Sequence, residues 1–273
     1  MNNKVVVVTG ANKGIGLQIV KSILLQAPQS QPLTVYLCSR DSSRGKKALE
    51  DVLQGKSVGD HVVKVGDLDI SNQESIRKFV DRVESESGKT DILINNAGVA
   101  ISGNKFDREV VDYAFNTNYH GTKNVIQSFI PLLKKSTEAR IVNVGSTAGR
   151  SGIITDPSVL ARFTKDDLTE EELEKAVADF KNDVSAGDYA KKGWPATGYG
   201  MSKLALQAYT RIAARENPGM LINNCCPGYV KTDMAPGGVK TLEQGAKTPV
   251  MLALDDINNV TGEFWRDGRV QVW

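Results

Sequence analysis

The chain has little net charge, few histidines and few cysteines. Its 273 residues carry 34 Lys+Arg against 32 Asp+Glu, a formal charge of +2, so no broad basic field draws it to nucleic acid or to an anionic membrane. Two His and three Cys leave almost nothing from which to build a metal site. Cys225 and Cys226 are adjacent, a geometry that strains a bridge between them, and Cys38 stands alone; this usage fits a reducing compartment. No apolar run approaches the roughly 18 residues needed to cross a bilayer. The short run from Val5 to Val8 leads into Thr9 and Gly10 rather than to a cleavage site, so no secretory leader is expected. The expectation is a cytoplasmic protein with no metal, no nucleic acid and no membrane among its partners. Apolar residues at 40% and charged residues at 24% are ordinary for a globular chain. The length suits one large α/β domain whose core needs no staples.

What is present is an alternation. Apolar, β-rich runs at 4–9, 33–39, 61–65, 92–95, 140–144 and 220–225 alternate with helical patterns at 15–25, 44–54, 72–85, 107–120 with a continuation to 135, and 200–215. Strands apolar throughout and separated by helices predict a parallel sheet covered on both faces, and repeated right-handed crossovers make it doubly wound. One stretch, 151–195, lacks strand pattern. Thr169-Glu170-Glu171-Glu172 there has capping-box spacing, and Leu173, Val177, Phe180 and Val184 recur at helical intervals, which predicts an amphipathic helix inserted into the sheet topology. The whole chain, 1–273, reads as one domain.

The first strand runs into Thr9-Gly10-Ala11-Asn12-Lys13-Gly14-Ile15-Gly16. Glycines are needed where backbone turns tightly and approaches a pyrophosphate, and the following helix N-terminus offers free N–H groups to that anion. No Gly-Lys-Ser/Thr follows, so this is not a P-loop. Three further blocks come in order: Asn95-Asn96-Ala97-Gly98 after a strand, Tyr199-Gly200-Met201-Ser202-Lys203, and Pro227-Gly228 after the next strand. The set resembles the short-chain dehydrogenase/reductase family over essentially the whole length. The resemblance implies a Rossmann-type fold and a nicotinamide cofactor cradled by Gly10, Asn12, Lys13, Gly14, Ile15, Gly16, Asn96, Ala97, Gly98, Pro227 and Gly228.

The second strand ends Leu37-Cys38-Ser39-Arg40. Ser39 stands where an NAD reader usually places an acid on the ribose, and a cation follows. Lys13, Arg40 and Arg44 can meet a 2′-phosphate, which predicts NADP(H). Asp41 either contacts ribose or caps a helix beginning near Ser43. The resemblance places the adenine contact at Asp69 and Ile70, read as the end of the third strand, with Asp67 as the rival.

Reducing a carbonyl takes hydride at carbon and a proton at oxygen. A phenol can supply the proton, and a Lys at i+4 lies on the same helix face to stabilise the phenolate; Tyr199 and Lys203 have that spacing. By resemblance, Ser146 holds the substrate oxygen, and Asn118 orders a water behind the Lys, Asn116 being the competing position. Both cofactor and Tyr199–Lys203 would then meet. His61 and His120 read as structural.

The 53 positions between Ser146 and Tyr199 resemble the carbonyl reductase branch of the family, as do Gly193-Trp194-Pro195 and the run from Cys225 to Met234. That resemblance implies a monomer, because the insertion covers the surface other members use to dimerise. It also places Val230 and Thr232 against the nicotinamide carboxamide, and Trp194 and Tyr229 in an apolar pocket for flat ketones or quinones. The expected activity is NADPH-dependent carbonyl reduction. Its rivals are oxidation of a specific secondary alcohol and non-catalytic dinucleotide sensing.

Overall fold

The computed structural model describes residues 3–54, 58–101 and 105–273. Eight strands form one sheet in the order β3-β2-β1-β4-β5-β6-β7-β8. They are β1 Lys4–Val8, β2 Leu33–Ser39, β3 Val62–Asp67, β4 Ile92–Asn95, β5 Arg140–Val144, β6 Leu221–Cys226, β7 Phe264–Arg266 and β8 Arg269–Gln271. All pairings are parallel except β7 with β8. The order reverses between β1 and β4, which opens the crevice where ligands bind in doubly wound sheets. Six strands follow the sequence pattern. The edge pair β7–β8 does not, because three-residue strands carry no readable period; Asp267 (φ 52°) and Gly268 (φ 73°) turn the chain between them.

The central strands bury both faces, which is why they are apolar throughout. Helices α1 (Gly14–Gln26), α2 (Ser42–Leu53) and, late in the chain, Leu242–Leu254 cover one face. The other face carries α3 (Gln73–Ser87), α4 (Arg108–Phe115), α5 (Thr122–Leu133) and Gly198–Glu216. Numbered in order, the helices between are α6 (Pro157–Thr164) and α7 (Glu170–Ala186), so Gly198–Glu216 is α8 and Leu242–Leu254 is α9.

The helix read as continuous from 107 to 135 is interrupted. Asn116–Gly121 is a π-helical turn joining α4 to α5, a distortion that concentrates at functional sites. A tertiary contact accounts for Gly121 there: a Cβ at Gly121 would stand 2.7 Å from the carbonyl oxygen of Ile70.

The insertion docks through α7. Thr169 and Glu172 form the expected capping box. Leu173, Val177, Phe180 and Val184 are buried. Polar anchors surround them: Lys123 on α5 reaches Glu170 at 2.9 Å and Glu174 at 2.5 Å, the Tyr119 hydroxyl donates to Glu174 at 3.0 Å, and Lys181 pairs with Asp112 on α4 at 3.1 Å.

Candidate active site

The site lies at the carboxyl ends of β1, β4, β5 and β6. The turn after β1 is tied to the one after β4. Thr9 Oγ1 accepts from the amides of Asn96 and Ala97, each at 3.0 Å, and Asn96 Nδ2 donates to the carbonyls of Thr9 and Gly10, each at 3.1 Å. Two glycines permit this approach. Gly10 (φ 62°) lies against Ala97, where a Cβ would be 2.8 Å from the Ala97 Cα; a Cβ at Gly16 would be 2.4 Å from both Asn96 Nδ2 and the Gly10 carbonyl. The α1 N-terminus has no side-chain cap, whereas α2, α3, α4, α6, α7, α8 and α9 each have one. Asn12 and Ile15 are half-buried in this turn and Gly14 has φ 58°. Open backbone N–H groups above a glycine cradle fit a pyrophosphate.

At the ribose end, Asp41 is the cap of α2: its carboxylate accepts from the Arg44 amide at 3.0 Å and from Ser43 Oγ at 2.7 Å. These hydrogen bonds, Ser43 first, hold its carboxyl below the usual range. The Arg44 guanidinium turns back to Asp41 at 3.4 Å. Lys13 pairs with Asp233 at 2.7 Å. The Arg40 side chain is exposed and, among the described residues, makes no hydrogen bond or ion pair.

Asp69 and Ile70, placed by the resemblance at the end of the third strand, lie beyond it; β3 stops at Asp67. Asp69 instead makes the turn into α3, its carboxylate accepting from Ser71 N at 2.9 Å and Ser71 Oγ at 2.6 Å. Ile70 is buried and Asp67 exposed.

The candidate catalytic side chains converge from three elements. Thr197 caps α8, accepting from the Gly200 amide at 3.0 Å, so Tyr199 stands in the first turn and Lys203 one turn on. Tyr199 stands beside Ser146, which follows β5 by two residues and caps the short 3₁₀ turn Thr147–Gly149. Burial raises the Tyr199 phenol above its ordinary value, and the neighbouring Ser146 hydroxyl pulls the other way, so the phenol is protonated at neutral pH. Lys203 is buried, its Nζ donating to the Val144 carbonyl at 3.0 Å and standing 5.9 Å from the centre of the Tyr199 ring. Burial pulls its pKa down to about 8.

Asn118 sits fully buried in the π-helical turn. Its Oδ1 accepts from the Val99 amide at 2.8 Å; its Nδ2 donates to the Val99 carbonyl at 2.9 Å and to Ser202 Oγ at 3.0 Å. Asn116, the rival position, is exposed. Gly98 closes the gap: a Cβ there would lie 3.1 Å from Asn118 Oδ1 and 3.4 Å from Lys203 Nζ.

Two contributors escaped the sequence reading. Ser202 accepts from Asn118 and donates to the Tyr199 carbonyl at 2.8 Å, linking Asn118 to Tyr199 from inside the Tyr199–Lys203 segment. Gly149 lets the Ser146 turn lie on α8: a Cβ there would be 2.6 Å from Leu204 N and from the Lys203 carbonyl carbon. A run of small residues after Ser146 was its only signal.

The loop after β6 runs between the glycine turn and α9. Thr232 approaches the glycine turn, 3.9 Å from where a Gly14 Cβ would stand. Val230 is buried, its side chain over Gly245 of α9, and Pro227 is half-buried beside Gly228 (φ 86°). Tyr229 is 57% exposed at the surface of this loop. Trp194 is not a pocket residue. It is 5% exposed, packed between Phe163 and Phe180, with Nε1 donating to Asp183 at 2.8 Å. The ring belongs to the core of the insertion because Phe163 and Phe180 supply an apolar slot and Asp183 satisfies its one polar atom.

Both histidines have structural settings. His61 is buried, Nδ1 accepting from the Leu33 amide at 3.1 Å. His120 lies in the π-helical turn against Phe115 and Tyr119, where burial lowers its pKa.

The family model described as short chain dehydrogenase matches residues 4–158. The chain belongs to this family. Short chain dehydrogenases are nicotinamide-dependent oxidoreductases, and the chain is an oxidoreductase of that kind. It is 36% identical to carbonyl reductase (NADPH) 1 of Rattus norvegicus, over 98% of both chains. It is 35% identical to (+)-neomenthol dehydrogenase of Arabidopsis thaliana, over 91% of this chain and 90% of that one. Among solved structures, salutaridine reductase from Papaver somniferum superposes with a TM-score of 0.85 at 31% identity, over 97% of this chain and all of that one. Among the described residues, no helix is long and apolar enough to cross a membrane.

Proposed function

We propose that the chain is an NADPH-dependent reductase of ketones, aldehydes or quinones with Tyr199 as the proton donor. The observation that carries this reading is that Lys203 donates to the Val144 carbonyl, two residues before Ser146, from the helix that also carries Tyr199, with Asn118 bound to Ser202 of that helix beside the open glycine cradle. A complete acid with its positioning groups argues against a purely sensory role.

When bound, the reduced nicotinamide supplies hydride to the carbonyl carbon. The chain supplies the rest. The Ser146 hydroxyl donates a hydrogen bond where negative charge grows on the substrate oxygen. The Tyr199 phenol passes its proton to that oxygen, completing the alcohol, and becomes phenolate. The Lys203 ammonium, held on the Val144 carbonyl, stabilises the phenolate by charge. Asn118, clamped to Val99 and Ser202, orients the space behind Lys203 through which a proton returns from water.

The preference for NADP(H) rests on the ribose end. No acid ends β2, Asp41 is engaged as a helix cap, and Arg40 presents an exposed guanidinium without a partner among the described residues, suited to a phosphate dianion. Lys13 would join Arg40 by leaving Asp233. Relatives that carry the names of an NADPH carbonyl reductase and an alkaloid reductase support the same direction. The docked insertion on α4 and α5 supports a monomer, and the reduced, buried cysteines support a cytoplasmic setting.

The test is Tyr199→Phe. NADPH oxidation with a panel of ketones and quinones is expected to vanish while NADPH binding, read by fluorescence titration, persists. Turnover unchanged in that variant overturns the assignment. Initial rates measured in both directions separate a reductase from a dehydrogenase of a secondary alcohol.

A further inference from the structure

Behind Lys203, the sheet carries a row of amides. Asn95 on β4, Asn143 on β5 and Asn224 on β6 are in register. Asn143 shows which face they occupy: its Nδ2 donates to Thr210 Oγ1 of α8 at 2.9 Å, and its Oδ1 accepts from Asn95 Nδ2 at 2.9 Å. Gln207 lies on that same side of α8, one turn after Lys203 and three residues before Thr210. All four amide side chains are at most 3% exposed.

This layer is not satisfied by protein groups. Among the described residues, six buried side-chain N or O atoms have no partner, and five are here: Asn95 Oδ1, both atoms of Gln207 and both atoms of Asn224. Leaving one such atom unpaired costs about 1–3 kcal/mol, so five in one layer of a stable fold are not left dry. Polar cavities of this kind hold ordered water. The layer also adjoins the catalytic amine. Asn224 Oδ1 occupies the space beside Gly145, 2.0 Å from where a Cβ would stand, and Gly145 follows Val144, whose carbonyl holds Lys203 Nζ. Neither Asn224 nor Gln207 hydrogen-bonds Lys203 directly.

We propose that Asn95, Asn224 and Gln207 bind a resident water cluster that hydrates the Lys203 ammonium from the sheet side. Asn224 and Gln207 are then positioning residues, acting on the reaction through water and Lys203. The cluster is separate from the space beside Asn118, which approaches Lys203 from Gly98. The titratable groups facing Lys203 are Tyr199 on α8 and Cys225 and Cys226 on β6. Beyond the Val144 carbonyl, this water would be a further acceptor that favours the charged amine against burial.

The role in turnover rests on the reductase reading; the water itself does not. A high-resolution crystal structure of the NADP⁺ complex is expected to show water bonded to the side chains of Asn224 and Gln207. A dry layer there overturns the proposal without touching the reductase assignment. The second readout is the pH profile of carbonyl reduction in Asn224→Leu and Gln207→Met, whose side chains fill the site without binding water. Losing one hydrogen bond to a charged group is expected to move the alkaline limb about one to two pH units lower, with the plateau rate below the shifted limb retained. Asn224→Ser, with room for a further water, is expected to keep the limb in place. An unmoved limb in folded Leu and Met variants overturns the role in turnover. If neither folds, the water density in the parent structure decides.

Discussion

Gly149→Ala tests how the site is assembled. Gly149 ends the turn that begins at Ser146, and its hydrogen faces the α8 backbone between Lys203 and Leu204. A methyl group there would lie 2.6 Å from Leu204 N and 2.7 Å from Lys203 Cβ. These atoms belong to the interior of a 19-residue helix, which cannot yield locally, so the Ser146 turn must lift. Overpacking of this kind costs about 1–3 kcal/mol, which for a chain of this size lowers Tm by roughly 2–10 °C. The larger effect is on chemistry. Misplacing a donor that faces developing oxyanion charge reduces kcat by about 10²–10³-fold. The cofactor cradle lies on other strands, so the dissociation constant for NADPH should stay within about twofold. The assay combines a thermal melt, NADPH fluorescence titration and kcat with a reducible quinone. A variant that melts lower but turns over at the parental rate refutes the claim that Gly149 sets the Ser146–Tyr199 geometry.

Other substitutions test separate parts of the argument. Lys203→Met should abolish turnover yet stabilise the fold at pH 7. A buried ammonium with a pKa of about 8 instead of 10.5 opposes folding by about 3 kcal/mol, and this penalty relaxes as pH rises from 8 towards 10.5; melts at pH 7 and pH 10 would check the sign. In the parent, the carbonyl reduction rate should fall above about pH 8 as Lys203 loses its proton. Arg40→Glu should weaken NADPH binding about 10–100-fold and leave NADH binding nearly unchanged, as expected for loss of a charge-assisted phosphate contact; titration with both cofactors reads this. Trp194→Ala should cost about 3–5 kcal/mol of stability by opening a cavity between Phe163 and Phe180, with KM for carbonyl substrates unchanged, since the ring does not face the cleft.

Much of the site could be read from spacing because its parts are local. Gly10, Gly14 and Gly16 shape one turn, and Tyr199 and Lys203 share one helix face; a few residues of sequence determine each relation. The capping box at Thr169 and the apolar stripe of α7 were legible for the same reason. Asp41 as a cap was legible too, since three residues of chain suffice to close its bond to Arg44 N. The errors share the opposite cause. Trp194 stands next to the Tyr199 motif in sequence, but the slot made by Phe163 and Phe180 draws it inward. The end of β3 was misplaced because where a strand stops is set by its ladder to a neighbour, here to β2 as far as Asp67, which no local spacing records.

The sequence by itself determined six of the strands and the helices between them, the glycine turn after β1, the shared helix face of Tyr199 and Lys203, and the position of the insertion, because periodicity and short spacings are properties of neighbouring residues. Only the tertiary structure decided that Ser146 meets Tyr199 through a bare glycine contact, that Asn118 is reached by a π-helical turn, and that three asparagines from three strands line up behind Lys203. Those relations join residues from 48 to 129 positions apart in the chain, and no local pattern encodes what the packing of a sheet against a helix brings together.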